Sequence, residues 1–310
     1  MRKLGINWGK SNTYGGVTKQ CYVTHLYHEP FYLSINGILT LFSYLVNSLL
    51  IYQIIILLLQ PQNPNDIAMA GIYLHIPFCK TRCIYCDFYS TTRNELKSRY
   101  VQALCRELEM RKEYLKREDI ETVYFGGGTP SQLEKEDFEL IFETIRTHYG
   151  LNHCQEITLE ANPDDLTSEY LGMLSSLPFN RLSMGIQTFD DNTLKLLKRR
   201  HNARAAIEAV SRCREAGFRN ISIDLIYGLP GETKERWEND LRQAIALNVE
   251  HISAYHLIYE EDTLIYKMLK QHRISEVDED SSLEFFTLLI EELQKAGFEH
   301  YEISNFCRPD

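Results

Sequence analysis

The stretch GIYLHIPFCKTRCIYCDFYS, residues Gly71 to Ser90, places Cys79, Cys83 and Cys86 in one short segment. The spacing Cys-x3-Cys-x2-Cys supplies three thiolates from a single loop. A cubic iron-sulfur cluster held there keeps its fourth iron free of protein ligands, and an open iron is a place for chemistry. Structural zinc is the alternative, but it takes four ligands. The nearest candidates for a fourth are His75, inside an apolar strand-like run, and Cys105, on a later helical stretch, and neither makes a ligand knuckle. A disulfide framework is disfavoured: eight cysteines in 310 residues is ordinary usage, and three so close together leave one over.

The flanking residues extend the pattern. With an aromatic residue, Tyr85, just before the last cysteine, the segment resembles the signature of the radical S-adenosylmethionine (SAM) superfamily. That resemblance implies a 4Fe-4S cluster on Cys79, Cys83 and Cys86. It also implies SAM chelated to the open iron through its amino and carboxylate groups, and reductive cleavage to a 5'-deoxyadenosyl radical. The run His75-IPF-Cys79 is similar to the porphyrin-related branch, which contains oxygen-independent coproporphyrinogen III oxidase and the HemW-type heme chaperones. Oxidases of that branch carry a further cysteine two residues after the triad, and HemW-type chains carry phenylalanine. Here the residues are Cys86-Asp87-Phe88, so the chain resembles the HemW type. Phe88 is also expected to pack as a core aromatic beside the cluster. The implied function is heme delivery to an acceptor protein, such as a respiratory-chain component, with heme as a further ligand and an electron donor as partner. The alternative is the oxidase, acting by radical decarboxylation.

A composition of 44% hydrophobic and 25% charged residues suits a soluble globular protein. A net charge of -10 argues against a nucleic-acid binder that works by broad phosphate neutralisation. Local basic pairs such as Arg199-Arg200 suit small anions. The cluster thiolates and the absence of a cysteine framework point to a reducing compartment, the cytoplasm. One segment departs from this picture. No Asp, Glu, Lys or Arg occurs between Glu29 and Asp66, and the run from Ile38 to Leu59 is long enough to span a bilayer. It is a poor secretory signal, because it starts late and ends in a Gln/Pro/Asn-rich stretch. Two readings stay open for residues 1–68: translated upstream sequence, since Met69-Ala70-Gly71 opens directly onto a strand, or a membrane anchor beside a cytoplasmic domain.

From Gly71 onward, β-branched runs alternate with amphipathic stretches, the pattern of β-α units on a parallel sheet. Strands are predicted at Ile72 to His75, Thr122 to Phe125, Glu156 to Glu160, Arg181 to Gly185, Ile221 to Ile226 and His251 to His256. Helices are predicted over stretches such as Glu95 to Lys116, Lys135 to Thr147, Ala203 to Ala216 and Thr233 to Leu247. The expected fold class is α/β. The family resemblance makes it an incomplete (β/α)6 radical SAM barrel with a hydrophobic N-terminal extension: a core over residues 69–300 and the start of a further region at 301–310.

In barrel folds functional groups collect at the carboxyl ends of strands. The glycine run in Phe125-Gly126-Gly127-Gly128-Thr129 lets backbone approach a ligand without Cβ obstruction, although a glycine triplet alone is more often a tight turn. By resemblance Gly127, Gly128 and Thr129 contact the SAM amino group. Glu160 at the third strand's end and Gln187 at the fourth are implied ligand contacts, as is Tyr73, six residues before Cys79. Taken alone, these three read as a rim charge, a cap and a core tyrosine. Arg199, in Leu197-Lys198-Arg199-Arg200-His201, can fork onto a carboxylate, although lysine stands where the family usually has glycine. Asp224 interrupts an apolar strand and is costly to bury without a partner; the resemblance makes it a contact to a ligand hydroxyl. Cys21, Cys105, Cys154, Cys213 and Cys307 are isolated and read as core fillers. The chain carries no counterpart of the His-Asn-x-x-Tyr motif that the resemblance associates with heme, and His201-Asn202 is followed by Ala203-Arg204-Ala205.

Overall fold

The computed structural model describes residues 10–13, 16–21, 69–115 and 118–309. The chain divides into two compact units, residues 1–71 and 72–310. Of the first, the described part is an antiparallel hairpin of β1 (Lys10–Thr13) and β2 (Gly16–Cys21), with Lys10 opposite Lys19 and Thr13 opposite Gly16. The apolar run from Ile38 to Leu59 lies outside the described residues. Among those residues, no helix is long and apolar enough to cross a membrane.

All six strands predicted from Gly71 onward form, as β3 (Met69–Ile76), β4 (Ile120–Gly127), β5 (Glu156–Ala161), β6 (Arg181–Gln187), β7 (Asn220–Tyr227) and β8 (His251–His256). They lie in that order in one sheet, with β4 to β8 paired in parallel. Among the described residues the sheet does not close on itself. The far edge of β8 is taken antiparallel by β10 (Asn305–Cys307), which pairs in turn with β9 (Glu299–Glu302). Helices α1 (Lys97–Met110), α2 (Lys135–His148), α3 (Ser168–Leu174), α4 (Asp191–Leu196), α5 (Ala203–Glu215), α6 (Lys234–Ala246), α7 (Leu264–Lys270) and α8 (Glu279–Lys295) alternate with the strands. Their starts are written locally. Asn202 accepts a hydrogen bond from the Ala205 amide at 2.8 Å, and Asp190, Thr233 and Asp278 cap their helices in the same way.

The two faces of the sheet differ. One is apolar and covered by helices: Phe125, fully buried, meets Phe138, Phe142 and Phe179 at ring separations of 5.2–5.7 Å. Trp237 of α6 is buried on the same side and donates to the Phe285 carbonyl of α8 at 3.0 Å. The other face carries Tyr124, Glu160, Arg181 and Asp224, all half-buried. A parallel sheet covered on both faces reads as continuous apolar runs. Strands such as Ile223-Asp224-Leu225 alternate because their second face lines the interior of an open barrel.

Candidate cluster and cofactor site

The cysteine loop leaves β3 and is pinned at both ends and in the middle. The Cys79 amide donates to the Thr91 carbonyl at 2.9 Å, and the Thr91 amide to the Pro77 carbonyl at 2.7 Å. At the centre, the Ile84 amide donates to the Leu197 carbonyl, and the Ile265 amide at the start of α7 donates to the Ile84 carbonyl. Ile84 anchors a small second apolar cluster with Leu197, Ile226, Leu229, Leu257 and Ile265, against which Tyr85 packs. This cluster seats the loop over the carboxyl ends of the strands.

Two side chains from elsewhere reach the thiols. Thr129 Oγ1 donates to Cys79 Sγ at 3.4 Å, and Arg199 Nη1 donates to Cys83 Sγ at 3.4 Å. Burial raises the pKa of Cys79 and Cys86, and the neighbouring thiolates raise both further. The three sulfurs are thus near enough for their charges to interact. Among the described residues no set of three ligating side chains converges as a single-ion site. His75 is likewise not a fourth ligand: its Nε2 pairs with the Tyr89 carbonyl at 2.9 Å and its Nδ1 with the Tyr73 hydroxyl at 3.2 Å.

The other sequence-derived residues gather along the strand ends beside the loop. Tyr73 stacks on Tyr124 with ring centroids 5.9 Å apart. Glu160 accepts from the Tyr124 hydroxyl at 2.8 Å and the Gly127 amide at 3.0 Å. Gly127 has φ +111°, and a Cβ there would lie 2.5 Å from the His75 ring, so the site admits only glycine. The Gly128 amide donates to the Ile76 carbonyl at 2.8 Å, tying the turn to β3. Gln187 is buried with φ +75°, beside a register shift between β6 and β7. Its side chain folds back to within 2.8 Å of where a Gly185 Cβ would stand. A non-glycine residue in this region stores strain, and such strain collects at working sites.

The electrostatics are those of a shielded site. Burial, then Glu160, pushes the Asp224 pKa up to about 7, opposed by Arg181 and a hydrogen bond from Ser253. Burial also raises the pKa of Glu160 and Tyr85. Burial alone would lower the Arg199 pKa, but Tyr85 and Cys83 beside it hold it above the ordinary value. The buried His201 is pushed down to about 3 by burial and by Arg199, and its Nε2 pairs with the Ile186 carbonyl.

Sequence reasoning missed Asn162. Its Oδ1 accepts from Arg199 Nη2 at 2.6 Å and its Nδ2 donates to Thr129 Oγ1 at 3.4 Å, so it joins the two side chains that touch Cys83 and Cys79. Its position directly after Glu160-Ala161 was the available signal. Tyr124, the donor to Glu160, lies inside the strand predicted at Thr122 to Phe125 and carries no sequence signal of its own. One expectation is corrected: Phe88 is not a core aromatic, being 68% exposed at the surface end of the cysteine loop. Of the isolated cysteines only Cys213 is fully buried; Cys105, Cys154 and Cys307 are half-buried, and the side chain of Cys21 lies outside the described residues.

Residues 73–244 match the model of the radical SAM superfamily. The chain belongs to this superfamily. Membership implies a 4Fe-4S cluster and SAM as cofactors. The chain is 36% identical over 242 residues to the heme chaperone HemW of Bacillus subtilis, covering 77% of this chain and 64% of that protein. It is 35% identical over 249 residues to HemW of Lactococcus lactis, covering 80% and 63%. Among solved structures, coproporphyrinogen III oxidase (HemN) from Escherichia coli, described as a radical SAM enzyme, superposes with a TM-score of 0.70 at 28% identity, covering 78% of this chain and 56% of that one. The chain therefore spans a little under two thirds of the length of these HemW relatives. The HemW-type resemblance first read at Cys86-Asp87-Phe88 extends across the radical SAM core.

Proposed function

We propose that this chain is the radical SAM core of a HemW-like heme chaperone, binding a 4Fe-4S cluster through Cys79, Cys83 and Cys86 and delivering heme to an acceptor protein in the cytoplasm. The observation that carries the cluster reading is the meeting of Thr129 with Cys79 and of Arg199 with Cys83, bridged by Asn162, over a loop already pinned in shape. Donors to sulfur stabilise thiolate and tune a bound cluster. A reduced cluster in that loop would supply the electron that cleaves SAM.

The remaining roles belong to this chain's own groups. Glu160, held by Tyr124 and Gly127, and Asp224, held by Ser253, present acceptors to SAM hydroxyl or ammonium groups. Gln187 can donate and accept beside Arg199, and Tyr73 and Tyr85 flank the proposed SAM site. Gly127, Gly128 and Thr129 shape its edge without side-chain bulk. Asp224 binds a cationic ligand best above about pH 7, where its carboxyl is ionised.

Heme, its acceptor, whether in a respiratory chain or elsewhere, and an electron donor enter from the HemW resemblance. A second reading, oxygen-independent coproporphyrinogen III oxidase, is favoured by the structural likeness to HemN. The HemW relatives and Phe88 at the discriminating position favour the chaperone.

The test is anaerobic reconstitution followed by electron paramagnetic resonance of the reduced protein, with and without SAM, beside Cys83→Ala. A 4Fe-4S signal that shifts with SAM and is lost in the variant is expected; a signal-free, zinc-loaded protein overturns the cluster reading. Turnover of coproporphyrinogen III would replace the chaperone reading with the oxidase. Heme binding and transfer without such turnover is the expected result.

A further inference from the structure

Asp165 ends the short turn after β5, and its carboxylate is 2% exposed. It receives four donors from three separate loops. Lys80 Nζ lies 2.9 Å from Oδ1, while Ser131 Oγ, Gln132 Nε2 and Arg200 Nη2 reach Oδ2 at 2.9, 2.7 and 3.0 Å. Arg200 also grips Asp164 through Nη1 at 2.6 Å.

Each of these donors is a close chain neighbour of a residue at the candidate site. Lys80 follows Cys79, Ser131 and Gln132 lie just beyond Thr129, and Arg200 follows Arg199. One buried carboxylate thus ties the cysteine loop, the turn after the glycine run and the arginine segment to the end of β5. Those are the three segments whose relative placement sets the Thr129–Cys79 and Arg199–Cys83 contacts. Lys80 and Arg200 balance Asp164 and Asp165, so the network is paired in charge, and removing one member strands the others.

We infer that Asp165 is a positioning residue that holds these three segments in register for the cluster and SAM; this rests on the cluster reading above. It touches neither cofactor. It acts by keeping Lys80, and with it the peptide of Cys79, against the barrel rim. A merely structural brace would lower the stability of the whole unit and leave the properties of a bound cluster unchanged.

The test uses the full chain, reconstituted anaerobically, as wild type, Asp165→Asn, Lys80→Met and Cys83→Ala. Three quantities are read: the rate of cluster loss to excess EDTA, the SAM-induced change in the reduced resonance spectrum, and the melting temperature of the apo protein. Cluster loss is expected to be at least about tenfold faster in Asp165→Asn, because a buried carboxylate with two cationic partners is removed. The SAM-induced change should shrink in the same variant. Lys80 is 55% exposed, so Lys80→Met keeps the apo melting temperature while accelerating cluster loss about threefold, as expected for one partly exposed pair. Wild-type loss rates and spectra in both variants, with only the melting temperature of Asp165→Asn lowered, overturn the inference. If Asp165→Asn does not fold, Lys80→Met alone decides by the same two readouts. A wild-type chain that assembles no cluster, or a Cys83→Ala chain that assembles one equally well, instead overturns the cluster reading on which the inference rests.

Discussion

The two faces of the central sheet are made from alternate residues of the same strands, yet they obey different rules. Val123, Phe125, Leu159, Met184 and Ile223 point to the helices and are buried against other carbon. Tyr124, Glu160, Arg181 and Asp224 point the other way and are held by hydrogen bonds and opposed charges, with raised carboxyl pKa values. The first face contributes stability through area removed from water. The second spends stability to keep ionisable groups partly dry, which is what a site for a charged cofactor needs. A substitution on the first should therefore unfold the molecule, and one on the second should change binding.

The largest expected effect is on the apolar face. Phe125→Ala removes a fully buried ring from a four-phenylalanine cluster and should lower the unfolding free energy by about 3–5 kcal/mol. The folded fraction should bind SAM as the wild type does. Urea denaturation beside SAM titration checks both halves; unchanged stability with lost binding would reverse the assignment of the faces.

Asp224→Asn is the matching experiment on the polar face. The unfolded carboxyl titrates near 3.8 and the folded one at about 7. Between those values the native state holds more protons than the unfolded state, so wild-type stability falls as pH rises through this window. The variant lacks that slope. It should gain up to ~4 kcal/mol relative to wild type at pH 8 and nothing at pH 3, while losing SAM affinity. An equal gain at both pH values, measured by denaturant melts, would mean that the ionised form is not what the fold disfavours.

The outer face was legible in the sequence because β-branched and aromatic runs of strand length admit few other readings, and all six strands lie where those runs stand. The rim that carries the candidate site was legible in part. Cys79, Cys83 and Cys86 share one segment, so their spacing alone announces them. Asn162 and Asp165 do not: each acquires its role only when three loops distant in sequence meet, and in sequence Asn162-Pro163-Asp164-Asp165 reads as an ordinary polar turn. The hairpin of β9 and β10, which occupies the barrel's open edge, is short and lacks the alternation that marks a strand.

Lys198 gives a smaller and more local test of the rim. By the sequence resemblance it stands at a glycine position, and its φ of +58° is a conformation that glycine adopts most readily. Its exposed side chain precedes Arg199, so the backbone there aims the guanidinium at Cys83. Lys198→Gly should relieve up to about 1 kcal/mol of local strain, offset in part by the added freedom of the unfolded chain. A melting temperature raised or unchanged, with the cluster intact, is expected; a fall of several degrees would mean the lysine side chain has a structural partner.

Phe88 sharpens the comparison from outside both faces. It is the residue that separates HemW-type chains from the oxidases in the sequence reading, and at 68% exposure it is bound by neither rule. A large apolar side chain left in water next to the cysteine loop contributes little to folding, so Phe88→Ala should change the unfolding free energy by no more than about 0.5 kcal/mol. Cluster assembly and the SAM-induced spectral shift should also be unchanged, because the ring is largely exposed and is not part of the small cluster around Ile84. Any effect of the substitution then has to fall on what approaches the loop from solvent, and heme binding or transfer is the assay in which to look. A drop in stability of the size expected for Phe125→Ala would return Phe88 to the core and remove it as a surface determinant of the chaperone reading.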